Sequence, residues 1–166
     1  MVYFSLAVPA VLLLSRQRRP ALDLVAESIP LPWIMAKLGC LLNGFCYGLP
    51  CSLPWAMTFP EGARGAPAGI LLHPTQLYEI GIMVIVLLVF TGLKADRRQG
   101  TKLLWFLVVY GLGRATTDVF RGDNEHYLLS GWLTMTQALC LAAAVASILV
   151  VAQRLRQHSP SPHWKV

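Results

Sequence analysis

Long apolar runs, each interrupted by few charged side chains, dominate the hydrophobic pattern of this 166-residue chain. Residues 132–152 form 21 positions without a formal charge, enough for a helix to cross the roughly 30 Å hydrocarbon core of a bilayer. Residues 77–93 form a second run of nearly that length. Residues 103–120 begin as a third, which carries Arg114 and Asp118 near its end. The pattern therefore predicts three membrane-spanning helices in this part of the chain.

Two less regular apolar segments precede these helices. Residues 2–14 are short and contain a proline, and residues 22–47 are interrupted by Pro30, Pro32 and Lys37. The basic sequence RQRR follows the first segment, whereas the positive charge of a cleaved signal peptide precedes its apolar run. The predicted fold class is therefore an all-α, polytopic integral membrane protein with about five membrane-crossing elements, one of them broken or re-entrant.

The composition supports this fold class. Hydrophobic residues make up 55% of the chain and charged residues 13%, whereas soluble domains average about 25% charged residues. A soluble domain of this length has too little interior to bury such an apolar excess. The composition therefore disfavours a soluble helical domain.

Basic residues cluster at three places along the chain. The clusters are Arg16, Arg18 and Arg19; Lys94, Arg97, Arg98 and Lys102; and Arg154 and Arg156. Cytoplasmic ends of membrane helices are enriched in Lys and Arg, which predicts an external N-terminus, an external loop over residues 48–73 and a cytoplasmic C-terminus. This topology explains the net charge of +6 without a nucleic acid partner. We expect one membrane domain over residues 1–153 and a short, disordered cytoplasmic tail over residues 154–166.

The four cysteines are Cys40, Cys46, Cys51 and Cys140. They lack paired CxxC spacing and nearby histidines, so the pattern does not favour a metal site. Cys46 and Cys51 would emerge outside, where a disulfide can form. Small thiols that pack in the helical interior are the interpretation that we favour.

A polar stripe marks the third predicted helix. Tyr110, Arg114, Asp118 and Arg121 are spaced by four, four and three residues, so they share one helix face. An ionisable residue at the bilayer centre costs roughly 2.5–3.5 kcal/mol, and Arg114 can pair with Asp118 at this spacing. The stripe fits either an ion pair that joins two helices or an anion site that faces a polar cavity.

Lys37 adds a second intramembrane cation, in the segment MAKLGCLLNG, and it has no acidic residue at helical spacing. Two cations and one carboxylate leave positive charge inside the bilayer, for which a lipid phosphate is the abundant counter-ion; arginine binds phosphate bidentately. Asn43, Gly44 and Gly48 follow in the segment LNGFCYGLP, residues 42–50. They fit a helix C-cap and a binding turn equally well.

The segment HPTQLYE, residues 73–79, places polar side chains where the second predicted helix begins. His73, Gln76 and Glu79 are expected to hydrogen-bond the exposed N–H groups of the helix start, and Glu79 suits the helix dipole. A catalytic role beside a cation-lined cavity is the alternative.

Five segments carry a resemblance to a known family. KLGCLLNGFCYG, PWAMTFP, HPTQLYE, YGLGRATTDVFRGDN and LTMTQALCL resemble, in order and rough spacing, the prolipoprotein diacylglyceryl transferases, over residues 22–141. The resemblance implies transfer of a diacylglyceryl group from phosphatidylglycerol to the lipobox cysteine of a preprolipoprotein, in the bacterial cytoplasmic (inner) membrane. The implied partners are these two substrates and membrane lipid, and no cofactor is implied.

Roles for individual residues follow from the resemblance together with the chemistry of the side chains. Arg114 and Lys37 would hold the lipid phosphate, Asp118 would orient Arg114, and His73 would help to form the thiolate. The expected substrate-binding residues are Asn43, Gly44, Gly48, Gln76, Tyr78, Glu79, Tyr110 and Arg121.

The chain departs from the family pattern at several positions. Lys37 stands where the family has an arginine, Asp118 where it has a glutamate, Cys40 where it has an asparagine and Phe45 where it has a glutamate. Family members usually have further N-terminal membrane segments with a His-Gly motif, so a divergent, N-terminally short member is expected. A non-catalytic, truncated lipid-binding protein of the same fold and a related lipid-headgroup transferase stay open as alternatives.

Overall fold

The structure is a computed structural model that describes residues 18–93, 100–122, 127–128 and 133–156. The expected crossing over residues 2–14, the basic residues at positions 94–98 and the tail from residue 157 lie outside the described residues.

Five helices account for nearly all regular structure in the described part of the chain. They are α1 (Arg18–Ser28), α2 (Pro30–Asn43), α3 (Thr75–Gly92), α4 (Thr101–Val119) and α5 (Met135–Arg156). Two antiparallel strands of two residues each, β1 (Tyr127–Leu128) and β2 (Leu133–Thr134), precede α5. The all-helical fold class is confirmed.

Three stretches have the length and the apolar composition of membrane spans: Leu22–Asn43, Thr75–Gly92 and Met135–Arg154. The 19-residue helix α4 is comparably long but contains Lys102, Arg114 and Asp118. These helices are those of a polytopic membrane protein.

The predicted irregular element over residues 22–47 is interrupted at Ile29, between α1 and α2. Pro30 occupies the start of α2. The N–H groups of the first helical residues have no partner within the helix, so the missing N–H of proline costs α2 no hydrogen bond. The element ends at Gly44, whose φ of 75° is left-handed. Phe45 N donates to Cys40 O at 2.9 Å and Gly44 N to Leu41 O at 3.3 Å, the bond pair of a Schellman cap.

Asp23 on α1 fixes the start of α4. Its carboxylate accepts hydrogen bonds from the N–H groups of Gly100 at 2.7 Å, Lys102 at 2.9 Å and Leu103 at 3.3 Å. The first N–H groups of a helix have no partner within the helix, so a carboxylate from another helix replaces the missing local cap. Glu27 of α1 adds an ion pair to Lys102.

Small residues bring α4 and α5 together. A Cβ at Gly111 would lie 2.7 Å from Cys140 O and 3.2 Å from the Cβ of Ala144. Close backbone approach through small residues is typical of helix pairs in membranes. The neighbouring apolar core joins α1, α3 and α4 through Ala26, Met83, Val86, Phe90 and Phe106.

The connection between α2 and α3 covers one end of this helical bundle. Phe59, Ala66 and Leu72 are buried in it and pack against Leu41 and Tyr47. Its first residues are held by main-chain bonds from Gly48 N to His73 O at 3.0 Å and from Leu49 N to Phe120 O at 2.8 Å.

Gly48 lies where three chain segments meet. A Cβ there would come within 2.4 Å of the Cβ of His73 and 2.7 Å of Phe120 O, distances that no side chain tolerates. Gly48 is therefore required because it brings the ends of α2, α3 and α4 together.

Candidate active site

Glu79 is the centre of a buried group of charges. Its Oε1 atom lies 2.9 Å from Lys37 Nζ, 2.9 Å from Arg114 Nη1 and 3.5 Å from Arg121 Nη1. Glu79 is 1% exposed and Lys37 is 3% exposed. One carboxylate oxygen thus faces cations from α2, from α4 and from the residues just after α4.

The spacing along α3 explains why Glu79 points inward. Met83, Val86 and Phe90 are buried on the same helix, at four, seven and eleven residues after Glu79. These intervals lie on one face of an α-helix. Glu79 therefore extends the apolar face of α3 into the bundle, where cations from neighbouring helices compensate its charge.

Two expectations about these charges were wrong. Lys37 was expected to lack a protein counter-ion, but it pairs with Glu79, 42 residues further along the chain. Glu79 was expected to serve the start of its own helix, but its two oxygens accept hydrogen bonds from Lys37, Arg114 and Trp33. Helical spacing reports only contacts within one helix, so it could not find this pairing.

Gln76 also differs from the expectation of a helix cap. Gln76 Nε2 donates to Phe45 O at 2.7 Å, and the hydroxyl of Thr75 donates to Cys46 O. Pro74 precedes α3, and no side chain among the described residues hydrogen-bonds the start of this helix. These polar side chains instead attach the turn after α2 to the first turn of α3.

Arg114 and Asp118 pair as their i,i+4 spacing indicates. Arg114 Nη2 lies 3.3 Å from Asp118 Oδ1, while Nη1 of the same guanidinium contacts Glu79. Arg114 is 8% exposed and Asp118 is 2% exposed. The planar guanidinium thus connects a carboxylate on α3 with one on its own helix.

Thr134 and Gln137, neither of which was predicted from the sequence, support Asp118 from the start of α5. The Thr134 hydroxyl donates to Asp118 Oδ2 and accepts from Gln137 N at 3.0 Å. Gln137 Oε1 accepts from Thr134 N, also at 3.0 Å. This is a capping box, for which the spacing in TMTQ was the available sequence signal.

Trp33 is another residue that the sequence analysis missed. Its indole Nε1 donates to Glu79 Oε2 at 3.2 Å, and Lys37 Nζ lies 5.7 Å from the centre of its ring. The ring meets Tyr110 edge-on at 5.6 Å, and Tyr110 in turn stacks on Phe106 at 5.4 Å. Trp33 therefore orients Glu79 and Lys37 through different parts of one side chain.

His73 and Tyr78 belong to a second polar group. Tyr78 OH lies 3.0 Å from His73 Nδ1 and accepts from Trp55 Nε1 at 2.9 Å. The imidazole also packs on the Phe120 ring, with 5.0 Å between centres. Phe120 directly precedes Arg121, so the two groups adjoin at the end of α4.

Asn43 has a local role in the structure. Its exposed side-chain amide donates to Gly39 O at 2.8 Å, within the last turn of α2. Gly44 provides the left-handed cap and Gly48 the close approach to His73. Their expected contacts with substrate stay predictions.

A groove opens between α3 and α4 beside these groups. It has a volume of about 320 Å³ and is lined by Tyr78, Ile82, Gly113, Thr116, Thr117 and Phe120. Thr117 directly precedes Asp118 in α4, so the groove adjoins the buried charges.

The five charged side chains define an ion cluster, made up of Lys37, Glu79, Arg114, Asp118 and Arg121. Its three cations exceed its two carboxylates, which leaves a formal charge of +1. Buried positive charge beside a groove is suited to an anionic ligand whose remainder is apolar. The class of protein defined so far is a polytopic membrane protein with a buried, cation-rich site.

Comparison with known sequences identifies the family. The family model described as prolipoprotein diacylglyceryl transferase matches residues 4–153. The chain belongs to this family.

Relatives include proteins named phosphatidylglycerol–prolipoprotein diacylglyceryl transferase. The one from Methylococcus capsulatus is 33% identical over 82% of this chain and 52% of its own length. The one from Bordetella avium is 34% identical over 84% of this chain and 53% of its own length. The one from Rhodospirillum rubrum is 35% identical over 90% of this chain and 57% of its own length. The chain spans about half the length of these relatives.

Proposed function

We propose that this chain transfers a diacylglyceryl group from phosphatidylglycerol to the lipobox cysteine of a preprolipoprotein. The observation that carries the proposal is the convergence of Lys37, Arg114 and Arg121 on one buried carboxylate oxygen, with positive charge in excess. The names of the relatives supply the two substrates.

The chemistry requires an anion site of this kind. The cysteine sulfur attacks the glyceryl carbon that bears the phosphate, a C–S bond forms, the C–O bond breaks and glycerol phosphate leaves with the electron pair. Preorganised cations in a site with little water stabilise the charge that develops on the leaving phosphate. Arg114 suits this role because its guanidinium is already oriented by two carboxylates and binds phosphate oxygens through a planar fork.

Lys37 and Asp118 complete the proposed phosphate site. Lys37 supplies a second cation as a compact point charge, and Asp118 holds the orientation of Arg114. The groove lined by Ile82 and Gly113 is placed to receive an acyl chain of the same lipid. Arg121, next to Phe120 at the rim, attracts the headgroup.

The proposed orientation places the cluster nearer the outer face of the bacterial cytoplasmic membrane. We propose an external N-terminus, a cytoplasmic C-terminus and five crossings, one of them the element that breaks at Ile29. The described basic residues Lys102 and Arg154 support it. Lys102 lies in the first turn of α4, and a Cβ at Gly100, which directly precedes that helix, would lie 3.7 Å from Arg154 Nη2. Lys and Arg mark the cytoplasmic side.

The proposal is tested with the purified full chain in vesicles of phosphatidylglycerol and a synthetic peptide that carries a lipobox cysteine. We expect the peptide to gain one diacylglyceryl group and an equal amount of glycerol phosphate to appear. Vesicles of phosphatidylethanolamine are the control and should give no product. Binding of phosphatidylglycerol without any transfer would favour the alternative of a non-catalytic lipid-binding protein.

His73 is the proposed base that helps to form the thiolate. A thiolate is a far better nucleophile than a thiol. His73 Nδ1 and the Tyr78 phenol oxygen are hydrogen-bonded; with Nδ1–H as the donor, Nε2 keeps a lone pair that can accept the cysteine proton.

Replacing His73 by glutamine should lower the rate constant for transfer by about 10²-fold and leave phosphatidylglycerol binding nearly unchanged. Tyr78→Phe should cause a smaller loss, because it removes only the group that orients the ring. The measurement is single-turnover transfer together with lipid binding on the same preparations. A peptide whose cysteine is already ionised by raised pH should restore most of the His73→Gln rate, and equal rates of variant and wild type at every pH would return His73 to a structural role.

A further inference from the structure

Cys40 and Cys46 lie on the two sides of the turn that ends α2. The thiol of Cys46 donates to the sulfur of Cys40, and the two Sγ atoms are 3.6 Å apart. Both residues are half-buried and both are reduced in the structure. The sequence pattern allowed Cys51 as the partner of Cys46 and gave no indication of Cys40.

The backbone holds this pair in place. Cys46 has a φ of 58°, a left-handed conformation that is uncommon for a residue other than glycine and persists only where its surroundings impose it. Thr75 binds Cys46 O and Gln76 binds the preceding carbonyl, that of Phe45. Phe45 N donates to Cys40 O at 2.9 Å, so the main chain already joins both sides of the turn.

We propose that Cys40 and Cys46 form an oxidisable dithiol, and that its disulfide locks the turn that ends α2. The carbonyls of this turn are bonded to the first turn of α3. A disulfide has its sulfur atoms about 2.05 Å apart, so the thiols must approach by only about 1.6 Å. Rotation of two side chains supplies this movement, because the backbones are already bonded to one another.

The oxidation is a thiol–disulfide exchange. One thiolate attacks an external disulfide, forms a mixed disulfide and releases one external thiol. The second thiolate then attacks the cysteine sulfur of that mixed disulfide, which forms the Cys40–Cys46 bond and releases the other external thiol. Two protons leave the chain and two electrons pass to the external disulfide, which is reduced to two thiols. Oxidised glutathione or a disulfide-bearing oxidase protein of the outer compartment belongs to this chemical class. Exposure to that compartment depends on the proposed topology, whereas the proximity of the thiols does not.

Locking the turn acts on the ends of two helices that contribute to the ion cluster. Cys40 lies three residues after Lys37 on α2, and the carbonyls of the turn are bonded to Thr75 and Gln76, one turn before Glu79 on α3. A cross-link that restricts the unfolded chain stabilises the folded one. The disulfide form should therefore unfold at a higher temperature.

The test uses the full chain in detergent micelles, first reduced and then treated with oxidised glutathione. Thiols are counted with a maleimide after denaturation, and the linked residues are identified by mass spectrometry. Cleavage after Phe45 and Tyr47 puts Cys40, Cys46 and Cys51 in separate peptides. We expect two of the four thiols to be lost and the Cys40 and Cys46 peptides to be joined.

Variants separate this pair from the remaining cysteines. Cys40→Ser and Cys46→Ala should lose the cross-link, while Cys51→Ser and Cys140→Ser, the matched controls, should keep it. Oxidation should raise the unfolding midpoint of the wild type by about 5 °C and leave that of Cys40→Ser unchanged.

Four reactive thiols after oxidation, or a link between Cys46 and Cys51, would overturn the dithiol. An unchanged midpoint of the cross-linked chain would overturn the locking role. These readouts do not involve transfer, so they are independent of the proposed activity.

Discussion

Arg114→Ala is expected to reduce the proposed phosphatidylglycerol-dependent transfer by about 10²-fold or more, because it removes the cation that we assign to the lipid phosphate. Arg114→Lys should restore only a small part of the activity. An ammonium group is a single point charge, so it cannot contact Glu79 and Asp118 in the geometry of the guanidinium and also bind phosphate bidentately. Asp118→Asn should cost less, since an amide oxygen can still accept the Thr134 hydroxyl.

A double variant distinguishes a phosphate site from a structural ion pair. Replacing Arg114 alone or Asp118 alone by an apolar residue leaves a buried charge without one of its partners, which destabilises the fold by about 3–5 kcal/mol. Arg114→Met combined with Asp118→Leu removes both charges, while Glu79 keeps Lys37 and Arg121. We expect the double variant to regain thermal stability and to stay inactive.

Thermal unfolding and transfer should be measured on all four variants. Lys102→Met is the matched control. It removes a cation from the same helix, but the partner of this cation is the exposed Glu27. A surface pair of this kind is worth about 0–1 kcal/mol, so stability and activity should stay close to wild type. A fully active double variant would end the lipid-phosphate proposal.

Replacing Glu79 by alanine should have the largest effect on the fold. Glu79 Oε1 compensates three cations within 3.5 Å, and its loss leaves like charges facing one another in a buried site. Removing one member of a buried ion pair costs about 3–5 kcal/mol, and several pairs are lost together here. We expect Glu79→Ala to accumulate poorly in the membrane and to unfold at a much lower temperature.

Compensation within the cluster tests this electrostatic explanation. Glu79→Gln with Lys37→Met removes one negative and one positive charge together and keeps an acceptor for Trp33 Nε1. This pair of changes should recover much of the stability that Glu79→Gln alone loses, without recovering transfer. Glu61→Gln, which changes an exposed carboxylate in the connection between α2 and α3, is the control. If the double variant were no more stable than Glu79→Gln, the charge balance would not explain the buried position of Glu79.

Within one helix, the sequence predicted the correct geometry. The spacing of Arg114 and Asp118 indicated their pairing, and the structure has them 3.3 Å apart. The prolines of the irregular element predicted an interruption; in the structure α1 ends at Ser28 and α2 begins at Pro30, with Ile29 between them in a helical conformation. The capping box of Thr134 and Gln137 was equally readable and was missed.

Contacts between helices were beyond that kind of inference. Glu79 was interpreted as part of the start of α3, although its spacing to Met83, Val86 and Phe90 already indicated a buried face. Which cations it meets depends on how α2 and α4 pack against α3. Trp33 gave no signal of its own, because an aromatic residue in an apolar helix does not reveal a polar partner 46 residues away.

The sequence by itself determined that this is a polytopic helical membrane protein, because an apolar excess of this size must face lipid and a lipid-exposed backbone must satisfy its hydrogen bonds within helices. It also determined which helix carries Arg114 and Asp118, because helical periodicity is local. Tertiary structure alone decided that Lys37, Arg114 and Arg121 share the carboxylate of Glu79, and that Cys46 meets Cys40. The physical reason is that a buried charge selects its partners by proximity in the folded chain, where burial makes an unpaired charge costly.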